Sequence, residues 1–130
     1  MSLDEALGIF GEAAQDASSA GLALAASNYY NCADLCNQVA EKSLQAVYVL
    51  RHDSRAAYDH NLRTLGELVG APPEILAELD ALTPYHPAFF LDTRTTEEAD
   101  DAVGGETAQE LLTRARTVLR WARQIVLTAN

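Results

Sequence analysis

The sequence predicts an all-α protein, an up-and-down bundle of four to five helices in which three helices are long and two are short. Three segments, residues 3–26, 29–50 and 108–126, repeat apolar residues at steps of three and four, as helices with one buried side do. Cap-type residues precede these segments, and prolines or glycines separate the shorter ones. With 130 residues, 48% of them hydrophobic, the chain is expected to form a single domain over residues 1–130.

The first helix is expected to begin at a capping box, in which Ser2 and Glu5 satisfy free backbone amides. Small residues in its apolar stripe would let a neighbouring helix approach closely. The stripe comprises Leu3, Leu7, Phe10, Ala14, Ala17, Gly21 and Leu24. Ser27 and Asn28 interrupt this pattern and supply cap residues for the next helix. The first two helices are therefore predicted to form a tight antiparallel hairpin.

The central helix, residues 29–50, is the element around which the bundle is expected to form. One side carries small and apolar residues, namely Cys32, Cys36, Val39, Ser43, Ala46 and Leu50. The opposite side is predicted to be polar, with Asp34, Gln38, Glu41, Lys42 and Gln45. The two cysteines lie one turn apart, where their Cβ directions suit a disulfide poorly, and no histidine stands at a zinc-like spacing from them. We interpret both as packing residues and predict no metal site and no cofactor.

Two short helices are predicted to cross the bundle. Asp59 can cap the first of them, and Gly70 suits the left-handed position after its last turn. Pro73 is well placed as the first residue of the second, which runs to Leu82. The next segment contains two prolines and is predicted to be a loop. Residues 92–106 are acidic and are interpreted as a solvated segment, with a partner-binding loop as the alternative.

The last long helix is predicted to begin at a second capping box, formed by Thr107 and Glu110. Four of the nine basic residues lie in this helix: Arg114, Arg116, Arg120 and Arg123. We interpret them as a solvated side that can pair with acids of the first helix, with a phosphate-facing stripe as the alternative.

The charge balance limits the partners of the chain. It carries 19 acidic and 9 basic residues, a formal net charge of −10, whereas proteins that coat duplex DNA usually have an excess of basic residues. The N-terminus is acidic where a signal peptide would be basic, and no apolar run approaches the roughly 20 residues of a membrane span. A cytoplasmic protein that binds neither duplex DNA nor membrane is expected.

The central helix also carries a family resemblance. Its Gln38, the run Ala40-Glu41-Lys42 and the pair Gln45-Ala46 are similar to the A-x-x-Q-x-A-E-K-x-L-K-A run of the HEPN domain, the higher-eukaryote and prokaryote nucleotide-binding family. Small prokaryotic members continue with a His-Asp-Leu entry to a short helix, a loop with Tyr and Pro, and a long terminal helix. His60-Asn61-Leu62, the segment from Tyr85 and residues 108–126 resemble these features, so the likeness covers nearly the whole chain.

This resemblance implies a helical bundle that forms a homodimer and works beside a minimal nucleotidyltransferase, often as one half of a toxin–antitoxin system. Some members are metal-independent ribonucleases with a motif of Arg, four to six residues and His. The imidazole moves a proton, and the guanidinium stabilises the charged phosphate. Arg55 and His60 match this spacing, but they precede the third helix, whereas the family motif lies near the start of the terminal helix. At that position the chain offers Arg94 with no following histidine.

Three functions stay open at this point. The first is a dimeric module that binds nucleotide, RNA or the nucleotidyltransferase, with ligand contacts from Lys42, Arg55, His60, Tyr85 and Arg94. The second is a ribonuclease toxin that uses Arg55 and His60 as catalytic residues. The third is a purely structural interaction protein, in which His60 only makes hydrogen bonds across the bundle. His86 is interpreted as an exposed loop residue.

Overall fold

The computed structural model describes residues 2–90 and 95–129, and within these residues the regular secondary structure is entirely helical. This confirms the predicted all-α bundle. The three long helices are α1 (Ser2–Ala25), α2 (Tyr29–His52) and α7 (Gly105–Leu127), and the two predicted short helices are α3 (Leu62–Leu68) and α4 (Pro73–Leu82). Three further short elements are a 3-10 turn, α5 and α6, which span Thr83–Tyr85, Pro87–Phe90 and Thr96–Val103.

Helix α1 contacts both other long helices through a row of small residues. Its buried side consists of Ala6, Ile9, Ala13, Ala17, Ala20 and Ala23. The predicted stripe was wrong by about one residue in phase, since Leu7 is 38% exposed and only Ala17 belongs to both sets. Two overlapping rows of apolar residues exist on this helix. The alanine row faces inward because methyl groups permit the closest approach to two neighbouring helices.

Helix α2 is the centre of the bundle, because it contacts α1, α3, α4, α6 and α7. It is therefore buried on more sides than the predicted two-sided pattern allowed. Gln45 was assigned to the polar side, yet it is only 2% exposed. Asn37 and Ser43 are also buried polar residues of this helix. The two free thiols of Cys32 and Cys36 are fully buried, as predicted for packing residues.

Residues 96–103 form helix α6, although the acidic segment that contains them was predicted to be a solvated loop. Its Ala99 and Val103 are buried, and the Thr95 hydroxyl accepts a hydrogen bond from the Glu98 amide at 3.2 Å to cap the helix. Asp100 in turn accepts the backbone amide of Tyr30 at 2.8 Å. This carboxylate thereby caps α2, whose own N-cap residue makes no side-chain cap bond.

The remaining predicted helix ends differ in detail. Asn61 rather than Asp59 caps α3, accepting the Arg63 amide at 3.0 Å. Helix α7 begins at Gly105, ahead of the predicted capping box. The assignments of Gly70 and Pro73 are confirmed, since Gly70 has φ 73° and Pro73 is the first residue of α4. Among the described residues no helix is both long and apolar enough to cross a membrane.

Candidate functional site

The segment between α2 and α3 is attached to the side of α2 by a buried glutamine. The Gln45 amide nitrogen donates to the Ala56 carbonyl at 3.0 Å, and the Ala56 amide donates to the Gln45 side-chain oxygen at 2.8 Å. Both residues are buried, so this pairing satisfies two backbone groups that water does not reach. The pairing positions Arg55, Tyr58 and His60, which lie on the same segment.

A second buried amide of α2 positions the turn after α4. The Asn37 nitrogen Nδ2 donates to the Leu82 carbonyl at 2.9 Å, at the end of α4. Thr83 follows directly, and its hydroxyl donates to the Leu79 carbonyl at 2.9 Å and accepts the Leu62 amide at 3.3 Å. The start of α3 is thereby joined to the end of α4. The segment with His60 consequently lies beside the turn that leads to α5.

The two imidazoles of His60 and His86 stack on each other at this junction. Their ring centroids are 4.3 Å apart with an interplanar angle of 29°. Tyr58 meets His60 edge-on at 5.4 Å, and Phe89 meets His86 at 6.1 Å. His60 has φ 72°, a left-handed conformation that non-glycine residues rarely adopt. The Nδ1 atom of His86 accepts the Ala88 amide at 2.9 Å, so its neutral ring carries the proton on Nε2.

A small cavity of about 60 Å³ lies next to the imidazole pair. It is lined by Asn37, Gln38, Glu41, Tyr58 and His86. The Asn37 oxygen Oδ1 and the Tyr58 hydroxyl are buried and lack a hydrogen-bond partner within the described part of the chain. Buried polar atoms are normally satisfied, so two residues that line one cavity and each carry an unpartnered atom mark this place as a candidate site.

Burial and neighbouring charges shift two ionisable groups of this site. Burial and then the adjacent His60 lower the pKa of His86 from its ordinary value of 6.5, while Asp34 opposes this shift. Burial, followed by the charges of Glu41 and Asp59, raises the pKa of the Tyr58 hydroxyl far above its usual range. At neutral pH the site therefore presents a protonated phenol and a largely neutral His86 imidazole.

A larger depression of about 280 Å³ adjoins Tyr58 as well. Its lining consists of Ala57, Tyr58, Asp59, Thr64 and Leu65. Tyr58 thus lines both spaces.

A model of the HEPN domain family matches residues 8–125. The chain belongs to the HEPN domain family. The match covers more than half of the chain and includes both segments that form the candidate site. No curated protein sequence matches the chain at a significant level.

Two solved structures share the fold of this HEPN chain. The protein TT1696 from Thermus thermophilus is 21% identical, with a TM-score of 0.78 over 92% of this chain and 96% of that one. The protein ST0689, described as an archaeal HEPN homologue, is also 21% identical, with a TM-score of 0.75 over 93% of this chain and 97% of that one. At this identity the two structures support the fold alone.

The structure brings only some of the predicted site residues together. His60 lies in the imidazole pair, and Arg55 lies exposed on the same segment with no hydrogen bond or ion pair to residues 2–90 or 95–129. Tyr85 contacts Phe90, with ring centroids 5.5 Å apart. Lys42 instead faces α1, where its ammonium group meets Asp16 at 2.8 Å and Glu12 at 3.6 Å. Arg94 lies outside the described residues.

Arg114 of α7 is paired with acidic side chains. It forms ion pairs with Glu78 at 2.6 Å and with Glu110 at 2.8 Å. In the described ranges no three His, Cys, Asp or Glu side chains converge closely enough to hold a metal ion.

Five residues that line the small cavity were not among the predicted site residues, namely Asn37, Gln38, Glu41, Tyr58 and His86. His86 lies in a predicted loop, and its pairing with His60 depends on contacts between segments distant in the chain, so the pairing could not be predicted. One signal was present, because Asn37 interrupts the apolar surface of the central helix. A polar residue in such a position usually satisfies a partner or lines a site.

Replacing Gln45 with leucine tests whether the segment depends on this side chain. We expect Gln45→Leu to lower the free energy of unfolding by about 2–4 kcal/mol, because the amide and carbonyl of Ala56 would stay buried without partners. Urea denaturation measures the change, and hydrogen exchange of the Ala56 amide should accelerate. Gln109→Leu, at an exposed position of α7, is the matched control. Equal stability of the two variants would contradict the assigned role.

The imidazole pair predicts a specific titration. The folded pKa of His86 lies below its ordinary value of 6.5, so its contribution to stability is complete above that pH and declines as the pH falls toward the folded pKa. We expect His60→Ala to raise the pKa of His86, because the change removes the ring that helps to bury His86 and the charge of His60 that opposes its protonation. NMR titration of the ring protons measures this shift.

The third histidine provides the control for this titration. The His52 ring packs at a tilt against Tyr48, with ring centroids 4.3 Å apart. Along α2 it lies about 16 Å from Glu41, which lines the cavity beside His86, at a rise of 1.5 Å per residue. His52→Ala should leave the titration of His86 unchanged. A pKa for His86 at or above 6.5 in the unmodified protein would refute the packing effect described above.

Proposed function

We propose that this HEPN protein binds a nucleotide or a single-stranded RNA segment at the His60–His86 pair. The observation that carries the proposal is the stacked pair beside a cavity that the polar residues Asn37, Glu41 and Tyr58 help to line. Flat rings exposed beside hydrogen-bonding groups suit a nucleobase, which has two π-faces and a polar edge. Each base stacked on an aromatic side chain contributes about 1–3 kcal/mol.

The charges around the pair favour a ligand with few phosphates. Arg55 is exposed on the segment that carries His60, where its guanidinium is free to meet one phosphate group. The net charge of −10 opposes a long polyanion, because each additional phosphate would face an acidic surface. A mononucleotide or the end of a single strand is therefore the preferred ligand class, and duplex DNA is not.

The proposal includes assembly with partners in the cytoplasm, where nucleotides and RNA occur. Family membership supports a homodimer and a minimal nucleotidyltransferase partner, together a toxin–antitoxin type system. Phe89 on α5 is 57% exposed and contacts the His86 ring, as expected of a surface that another subunit covers. Sedimentation velocity tests the dimer. Co-purification with a co-expressed nucleotidyltransferase tests the second partner, and failure to co-purify would remove it.

A second candidate function is metal-independent RNA cleavage at the same pair. The contact of two imidazoles favours it, because one ring can accept a proton from a ribose hydroxyl while the other donates one to the leaving oxygen. In this alternative Arg55 would stabilise the phosphate charge.

Titration with mononucleotides tests the binding function. We expect calorimetry to detect binding to the unmodified protein, and we expect His60→Ala and His86→Ala each to weaken it about tenfold through loss of a stacking ring. Arg55→Ala should weaken the binding of nucleotides but not the binding of the corresponding nucleosides, which lack the phosphate. His52→Ala is the control and should bind normally. If no nucleotide produces heat, the binding function fails and a purely structural interaction protein takes its place.

Incubation with RNA in EDTA tests the catalytic alternative. A ribonuclease that needs no metal should cleave under these conditions, and His60→Ala or His86→Ala should reduce the rate by about 10²–10⁴, the usual contribution of a general acid or base. Absence of cleavage at high protein concentration, or an unchanged rate in both variants, would eliminate the enzyme and leave binding as the function.

A further inference from the structure

Helix α7 carries a row of arginines that no acidic side chain neutralises. The row consists of Arg116, Arg120 and Arg123, which are exposed and follow one another at steps of four and three, on one side of the helix. None of them forms an ion pair within the described part of the chain. Residues 111–127 contain no acid, although the whole chain has 19 acidic residues. This arginine row is therefore a local positive surface on an acidic protein.

Helix α1 does not supply the acids with which these arginines were expected to pair. Its Glu12 and Asp16 face α2 instead, where both meet the Lys42 ammonium group. The Arg116 guanidinium does reach α1, but at a residue without a side chain, since a Cβ atom added to Gly21 would lie 3.5 Å from its Nη2 atom. Contact with α1 therefore leaves the positive charge of the row uncompensated.

The arginine row faces away from the candidate site. Arg114 precedes Arg116 by two residues, which is about 200° round the helix axis, and it contacts Glu78 of α4. The row thus lies on the opposite side of α7 from α4. His86 follows α4 after the 3-10 turn, and its ring stacks on His60 there. A mononucleotide held at the imidazole pair would therefore leave the row uncovered.

Exposed leucines flank the arginine row at both ends. Leu127 follows Arg123 by one turn and is 52% exposed, and Leu22, next to Gly21, is 73% exposed. Surfaces that bind single-stranded nucleic acid usually combine basic groups with stacking aromatic rings, whereas protein interfaces combine arginine with apolar contacts. The net charge of −10 also opposes a long polyanion. These features favour a protein segment over a nucleic acid as the occupant.

We propose that the arginine row binds an acidic amphipathic helix of a protein partner. The row extends about 10 Å along α7, so carboxylates at steps of three and four residues on the partner helix would meet the three guanidinium groups one for one. Apolar residues of the same partner helix would cover Leu22 and Leu127. This surface is separate from the nucleotide-binding function proposed above and does not depend on it.

Fluorescence anisotropy with a synthetic helical peptide tests this surface. The probe is a labelled, alanine-rich peptide of about 18 residues with Glu at steps of four and three along one side and Leu at both ends. We expect the full chain to bind it about tenfold more tightly than the same peptide with Gln in place of each Glu, and added salt should weaken the binding. Arg120→Glu should reduce the affinity by about tenfold, because it replaces an attraction with a repulsion. Arg63→Glu makes the same change of charge at an exposed position of α3 and should leave the affinity within about twofold.

Other results would overturn the proposal. They are equal binding of the two peptides, equal losses in Arg120→Glu and Arg63→Glu, or tighter binding of a uridine oligonucleotide than of the glutamate peptide. Conversion of a dimer to a monomer by Arg120→Glu in sedimentation velocity would identify a second copy of the chain as the occupant instead. Circular dichroism verifies that each variant is folded. Arg123→Gln provides a second, milder change in the row and should also weaken the glutamate peptide.

Discussion

The pairing of Gln45 with Ala56 is the interaction on which the candidate site depends. A connection between two helices carries backbone amides and carbonyls that need partners, and normally it remains at the surface where water supplies them. Here the connection is drawn onto α2, and Ala56 is buried together with both of its backbone groups. The side-chain amide of Gln45 bonds the Ala56 carbonyl at 3.0 Å and the Ala56 amide at 2.8 Å, as the backbone of a neighbouring strand would in a β-sheet. Removal of this amide would leave both backbone groups of Ala56 buried without their partners.

The His86 ring is positioned in a similar way, by a second buried side-chain amide at a different position of α2. Asn37 contacts the end of α4 and Thr83 links that end to α3, so two distant segments meet above one helix. Sites built on rigid elements keep their geometry better than sites built on loops alone. Helix α2 provides that rigidity, because the alanine row of α1 packs closely against it and Asp100 caps its first turn. The fold and the site therefore share one central support.

The long helices could be predicted from sequence because their apolar periodicity is strong and local. The phase of α1 could not, since two rows of apolar residues overlap and only the neighbouring helices select the alanine row. Helix α6 was not predicted because only two of its residues, Ala99 and Val103, are buried, and most of the others are acidic. Within the candidate site, His60 was predicted from the spacing of the family's Arg–His motif, whereas the contacts of His86 and Gln45 join residues far apart in the chain. Periodicity and short motifs contain no information about such contacts.

The left-handed backbone of His60 connects the fold to the chemistry of the pair. A non-glycine residue at φ 72° costs about 1–3 kcal/mol and persists only where the surroundings hold it. The neighbours that hold it here are the ring of Tyr58 at its edge and the ring of His86 on its face. Burial and then the adjacent His60 lower the pKa of His86, which favours its uncharged form near neutral pH. In that form Nδ1 accepts the Ala88 amide and the ring proton lies on Nε2. A flat, uncharged ring suits contact with a base, whereas a reaction would need Nε2 to lose that proton or Nδ1 to leave its partner. The arrangement thus favours recognition over proton transfer.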